Sequence, residues 1–241
     1  MPKKHKKPRL KLPHKIIPLP NADKAFHEKW DNPRRNPLNF PHPFRAVLFG
    51  RPNVGKSTLV KNILLRAKPE FEELVVVHCD GGYTKEYDDV EAEMLDEIPA
   101  PQDWDGQVKT LVVLDDLEYK TMSKEQKRNL DRLVGYCSTH KNISVILCAQ
   151  DGFNVPPIVR RCSNVCVLWK SPDLDTCANI ARKSGLTKKE FEKLFSLLHE
   201  YRDSIWLDNT SQSPYPLRKN GYEMIKKDDK GNYYIENKKE K

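Results

Sequence analysis

The sequence predicts an α/β fold, a three-layer sandwich around a mostly parallel central sheet, on three observations. A glycine-rich phosphate-binding pattern sits between a short apolar run and a segment free of Gly and Pro. Apolar runs of strand length alternate with segments of helical spacing, which implies strands joined by right-handed crossovers. Carboxylates and an amide follow directly behind two of the apolar runs, at the strand ends where open parallel sheets bind their ligands.

The elements follow in chain order. Residues 1–43 are rich in Lys, Arg and Pro, with Pro13, Pro18, Pro20, Pro33, Pro37, Pro41 and Pro43 interrupting any helical or strand period, and read as a largely disordered, flexible basic arm. The domain proper is expected over 44–209, with 210–241 as a polar, lysine-rich extension. Phe44 to Phe49 reads as a buried strand and Thr58 to Ala67 as a helix. Between them, Gly50-Arg51-Pro52-Asn53-Val54-Gly55-Lys56-Ser57 fits G-x-x-x-x-G-K-S/T without a mismatch. The glycines let such a loop turn its backbone N–H groups toward phosphate oxygens, and the helix N-terminus adds positive potential at the same place. In that arrangement Lys56 reaches the β and γ phosphates, Ser57 ligates Mg²⁺ and Thr58 touches the α phosphate.

A second strand spans Leu74 to Cys79 and ends at Asp80-Gly81-Gly82; the acidic stretch from Asp88 to Gly106 reads as a helix followed by a loop. Thr110 to Leu114 forms a third strand running into Asp115-Asp116. Asp115 is placed to support the Mg²⁺ shell and Asp116 to orient or deprotonate an attacking water, although turn and cap aspartates also occupy such positions. Ser123-x-x-Gln126 has the form of a capping box, with Leu130, Leu133, Val134 and Cys137 at helical spacing behind it. Ile143 to Ala149 is a fourth strand whose terminal Gln150 is placed to hydrogen-bond water and a γ phosphate. Phe153 to Arg161 is a loop or short helix, and Val165 to Trp169 a fifth strand. Thr187-x-x-Glu190 opens a helix with Phe191, Leu194, Phe195 and Leu198 as its apolar stripe, and Ser204 to Asp208 supplies a last strand.

Composition narrows the function classes. The 241 residues are 38% hydrophobic and 32% charged, which suits one soluble domain with polar extensions. No apolar stretch reaches bilayer-spanning length, and Met1 to Arg9 lacks the apolar segment of a secretory signal. The net charge of +8 is concentrated in the first residues and favours a polyanion partner or an import receptor. The six cysteines mostly lie in apolar runs and read as reduced, buried thiols; Cys162 and Cys166 have the spacing of half a zinc site without a second ligand pair.

As a string the phosphate loop resembles that of ribosome-assembly GTPases. The guanine-reading N-K-x-D signal is absent, however: Trp169-Lys170-Ser171-Pro172-Asp173 lacks the Asn, and Asp103-Trp104-Asp105-Gly106 follows no strand. ATP is therefore the expected nucleotide. The order of features resembles the FtsK and HerA superfamily of P-loop DNA-pumping ATPases, and within it the poxvirus-type genome-packaging ATPases. The closest likeness lies in Ser138 to Gln150, in Val155 to Arg160, and in the ending Pro214-Tyr215-Pro216-Leu217-Arg218-Lys219-Asn220. That resemblance implies an ATP- and Mg²⁺-dependent translocase that moves double-stranded DNA into a preformed capsid, working as a ring of five or six copies with a capsid protein as partner. It implies residence in the host cytoplasm or nucleus, or with the virion. It also implies roles for Lys56, Ser57 and Thr58 on nucleotide and metal, Asp115 on Mg²⁺, Asp116 on water, Gln150 on the γ phosphate, and an arginine acting on a neighbouring subunit. Arg160 is the first choice for that arginine, with Arg161, Arg132 and Arg128 behind it. The family commonly has Glu where this chain has Asp116, so the reach is one methylene shorter. A regulatory GTPase or assembly factor, and a cellular DNA pump of the same superfamily, are the alternatives.

Overall fold

The computed structural model describes residues 36–80, 85–210 and 213–236; the basic arm over 1–35 lies outside them. The fold is α/β, with helices on both faces of one ten-stranded sheet ordered β10-β9-β8-β7-β6-β1-β5-β4-β2-β3. Its strands are β1 (Arg45–Phe49), β2 (Glu73–His78), β3 (Glu93–Leu95), β4 (Thr110–Asp115), β5 (Ile143–Ala149), β6 (Val165–Trp169), β7 (Ser204–Asp208), β8 (Leu217–Lys219), β9 (Glu223–Lys227) and β10 (Tyr233–Ile235). The run from β6 to β3 is parallel throughout, and β7 to β10 add antiparallel pairs on the β6 side. Parallel strands covered on both faces need apolar residues at every position, and β4, β5 and β6 are buried from end to end.

Two cores flank the sheet. On one face α1 (Lys56–Arg66) seats Val60 and Ile63 against Ala46, Leu48 and Val76, with Leu38, Phe40, Phe44 and Trp206 beside them. Burying side chains of that size contributes roughly 1.5–3 kcal/mol each. The other face is covered by α2 (Lys124–Arg132), α3 (Pro157–Cys162), α4 (Leu174–Ile180) and α5 (Lys188–Phe195). Helix α2 continues into a π turn over Leu133–Cys137, which keeps Leu133, Val134 and Cys137 in the core while Tyr136 faces out. Thr187 and Glu190 form both halves of the capping box of α5. At α2 only half a box forms: Ser123 accepts from Gln126 N, while the Gln126 side chain turns away to accept from Ile98 N at 2.8 Å.

Three differences from the sequence expectation have physical causes. The stretch from Asp88 to Gly106 forms no helix; it turns, then lays β3 along β2 with Glu93, Met94 and Leu95 opposite Val75, Val76 and Val77. The exposed edge of β2 demands a partner, and that demand outweighs the helical propensity of Glu91-Ala92-Glu93-Met94-Leu95. Beyond 210, the described residues 213–236 supply three strands of the sheet, β8, β9 and β10. Finally, residues 36–43 lie on the core, with Leu38 and Phe40 buried. Arg218 joins these two flanks. Fully buried, it donates to the carbonyls of Pro37 at 2.7 Å and Tyr215 at 2.9 Å, stands 3.7 Å from the Asp208 carboxylate, and lies over the rings of Phe40, Trp206 and Tyr215.

Candidate functional site

Because β1 is central and its neighbours run parallel to it, the loops leaving β1, β4 and β5 emerge along one edge of the sheet. The loop after β1 is the phosphate-binding pattern. Gly50 is required by close approach: a Cβ there would lie 2.9 Å from Trp169 Cβ and 3.0 Å from Val54 Cγ2. Gly55 is required by conformation, since φ is 103° at the N-cap of α1. Lys56, nearly buried, folds back so that Nζ donates to the carbonyls of Gly50 and Arg51, both at 3.0 Å. Those carbonyls hold an ammonium that triphosphate oxygens would bind more strongly.

Asp115 closes β4, nearly buried, and accepts from the Tyr87 hydroxyl at 2.8 Å. Burial pushes its carboxyl above the usual carboxylate range and the neighbouring Asp116 and Glu86 add to this, while the Tyr87 bond works in the opposite direction. Burial, and the adjacent Cys148 and Asp115, push the Tyr87 phenol up so far that it remains a donor at any physiological pH. Asp116 has φ of 49°, a left-handed turn that Asp tolerates and that swings its carboxylate back toward the end of β5. There Gln150 Nε2 donates to both Asp116 oxygens, at 2.8 and 2.6 Å.

A cleft of about 620 Å³ brings these groups together: Pro52, Asn53, Val54, Gly55, Lys56, Ser57 and Thr58 from the loop and α1, with Asp115, Asp116 and Gln150 from the strand ends. Gly50 and Arg51 lie behind, contributing the carbonyls that hold Lys56. Arg160, half-buried in α3, does not line this cleft, nor do Arg161, Arg132 or Arg128. The Ser57 hydroxyl and the Asp115 carboxylate are hard oxygen donors facing one space, and a buried carboxylate beside a phosphate loop suits Mg²⁺. Cys162 is half-buried and Cys166 buried, and among the described residues no cluster of three or more His, Cys, Asp or Glu is arranged to hold a metal. Among the same residues no helix is long and apolar enough to cross a membrane.

Several cleft residues escaped the sequence reading: Leu38, Glu86, Arg202, Trp206, Asn220 and Tyr222, together with Tyr87 behind Asp115. Tyr87 sits in a polar stretch that reads only as loop. Asn220-Gly221 did carry a signal, being the strongest short hairpin dipeptide, and it forms the turn between β8 and β9.

No protein-family model and no curated protein matches this chain. Solved structures do match it in fold. The genome packaging NTPase B204 from Sulfolobus turreted icosahedral virus 2, in complex with sulfate, superposes with a TM-score of 0.55 at 16% identity, covering 74% of this chain and 96% of that one. Its complex with ATP-γS gives 0.53 at 17%, covering 74% and 98%. B204, the DNA-packaging ATPase from Sulfolobus turreted icosahedral virus, gives 0.53 at 17%, covering 74% and 97%.

Proposed function

We propose that the chain is a P-loop ATPase of the FtsK and HerA superfamily that drives double-stranded DNA into a viral capsid. The observation that carries this reading is the meeting of Lys56, Asp115, Asp116 and Gln150 in one cleft at the strand-end edge of the sheet. The fold likeness to genome-packaging NTPases and the motif order support the DNA-handling part.

In this reading the triphosphate lies along the loop from Pro52 to Thr58, and the Lys56 ammonium leaves the Gly50 and Arg51 carbonyls for the β and γ phosphates. Mg²⁺, when bound by Ser57 and Asp115, supplies charge neutralisation of the phosphate oxygens. Gln150 and Asp116 hold the attacking water. Its oxygen forms a bond to the γ phosphorus, the bond from that phosphorus to the β-phosphate bridging oxygen breaks, and Asp116 takes the water proton. The short Asp116 side chain is already drawn toward Gln150 by two hydrogen bonds, so water entry requires the amide to exchange one of them. Movement of Gln150 passes directly into the loop containing Phe153 and into α3, which carries Arg160. Stepping along phosphates needs no base reading.

The chain works as a ring, in which Arg160 faces the phosphates of the neighbouring subunit. The deciding experiment measures ATP hydrolysis with and without duplex DNA. Stimulation by DNA that disappears in Lys56→Ala supports the motor; hydrolysis indifferent to DNA with preference for GTP favours a regulatory GTPase. Mixing Arg160→Ala with Lys56→Ala subunits tests the shared site. Partial recovery of activity is expected, and none at any ratio would exclude Arg160 from that role.

A further inference from the structure

The tip of the phosphate loop, Arg51-Pro52-Asn53, is exposed, and it is held from two directions. From within the cleft, Lys56 Nζ takes the carbonyls of Gly50 and Arg51, both at 3.0 Å. The Pro52 carbonyl is taken by another group: the Tyr201 hydroxyl donates to it at 2.9 Å, and Tyr201 is not among the residues that line the cleft. The turn that carries this tyrosine is well fixed. Asp203, buried, accepts from His199 N at 2.8 Å, Glu200 N at 2.9 Å and Asn220 Nδ2 at 2.8 Å, and pairs with Lys219 Nζ at 2.9 Å. Its own carbonyl accepts from Lys170 N at 2.9 Å, just beyond β6. A buried carboxylate with that many partners anchors residues 199–203 against the ends of β6 and β8, and Tyr201 reaches the loop from this anchored base.

The bond sets which way one loop peptide faces. The Pro52–Asn53 peptide is trans, and a trans peptide is planar with its carbonyl and its N–H on opposite sides. Drawing the Pro52 carbonyl toward Tyr201 therefore turns the N–H of the same peptide, that of Asn53, away from Tyr201. This amide matters more than its neighbour because proline has no N–H: the Arg51–Pro52 peptide has no donor to offer, and Asn53 carries the next one along the loop. Backbone N–H groups are what such a loop offers to phosphate oxygens. An exposed peptide released from Tyr201 can flip and present its carbonyl, which repels the same oxygens.

We propose that Tyr201 is a positioning residue for the phosphate site: it holds the Pro52 carbonyl outward, so that the Asn53 N–H is aimed into the cleft as a phosphate donor before a triphosphate arrives. The proposal rests on the phosphate-site reading above and adds to it the residue that preorganises the loop. Once bound, the triphosphate holds the Asn53 N–H by itself. The hydroxyl thus acts on the free protein, where it raises the fraction of loops ready to bind, and its loss weakens binding by the factor through which that fraction falls.

The test is calorimetric titration of ATP and of inorganic tripolyphosphate into the full chain as wild type, Tyr201→Phe and Lys56→Ala, with steady-state ATP hydrolysis measured beside it. Tyr201→Phe keeps the half-exposed ring and removes one oxygen. It is expected to weaken both ligands by the same factor, about three- to tenfold, the scale of one net hydrogen bond. The loss should fall on KM, with kcat at saturating ATP within about twofold of wild type, because the bound triphosphate orients the loop without help. The proposal is overturned when Tyr201→Phe binds both ligands as the wild type does, or when ATP alone weakens, which would place Tyr201 at the nucleoside. It is equally overturned when kcat and binding stoichiometry fall while affinity is kept, the mark of a general loss of structure. If Lys56→Ala leaves tripolyphosphate binding intact, the phosphate-site reading fails first and takes this positioning role with it.

Discussion

Replacing Tyr87 by Phe removes one hydroxyl and leaves the ring in its place against the core. Tyr87 is 3% exposed and Asp115 5%, so the lost bond cannot be replaced freely by water. A hydrogen bond to a charged group contributes about 1.5–3 kcal/mol, which corresponds to a ten- to hundredfold change in the proton affinity of the carboxyl. The sign follows from which form the bond favours. The hydroxyl stabilises the ionised carboxylate against burial and against Asp116 and Glu86, so its removal pushes the Asp115 carboxyl further up. Where Asp115 is ionised the folded variant carries an uncompensated buried charge and should be less stable by the full amount. As pH falls through the titration of Asp115, the deficit should shrink toward the ~1 kcal/mol of a neutral hydrogen bond. Urea unfolding of wild type and Tyr87→Phe in metal-free buffer, stepped downward from neutral pH until the Asp115 carboxyl is protonated in both proteins, reads this directly. A deficit that is absent, or constant across the series, would refute the coupling between Tyr87 and the charge on Asp115.

Three further expectations concern separate parts of the molecule. Asp116→Asn should bind ATP within a few-fold of wild type and lose turnover by about 10²–10⁴, the usual weight of a general base, in a single-turnover assay. Gly50→Ala drives a methyl into Trp169 and Val54 and should cost about 1–3 kcal/mol of overpacking, seen as a Tm lowered by several degrees. Glu190 is held down at about 2, first by the Lys227 bond and then by the Thr187 backbone and hydroxyl. Its unfolded carboxyl titrates near the ordinary value of about 4.3, so its stabilisation is complete above that pH and disappears as pH falls toward 2; Glu190→Gln should flatten that part of an acid-unfolding curve.

The parallel half of the fold was legible because its strands are continuous apolar runs and its loops carry chemistry with fixed spacing. Lys56 announces itself by the glycines around it, and Asp115 and Gln150 by the strands they close. What escaped has a common cause. Leu38, Arg202 and Tyr222 reach the cleft, and Tyr87 reaches Asp115 behind it, through tertiary contacts from segments whose own sequence is polar and irregular. The Tyr87 to Asp115 bond joins residues 28 apart, and Tyr201 reaches Pro52 across 149 residues. The edge strand β3 shows the same override from the other direction, a helix-forming sequence drawn into the sheet by an unpaired neighbour. Strand β8 buries charged residues, Arg218 and Lys219, and β9 and β10 are exposed or half-buried apart from Ile225, so no apolar alternation marks any of the three.

The central claim is that one lysine at the head of α1 holds a triphosphate against the strand ends. ATP titrated calorimetrically into wild type and Lys56→Ala, with the Tm of each measured alongside, tests it most directly. The expected result is affinity reduced at least about a hundredfold in a variant whose Tm moves only a few degrees, since the bonds lost within the protein are two, to the Gly50 and Arg51 carbonyls behind the cleft. Unchanged affinity in a folded Lys56→Ala protein would contradict it.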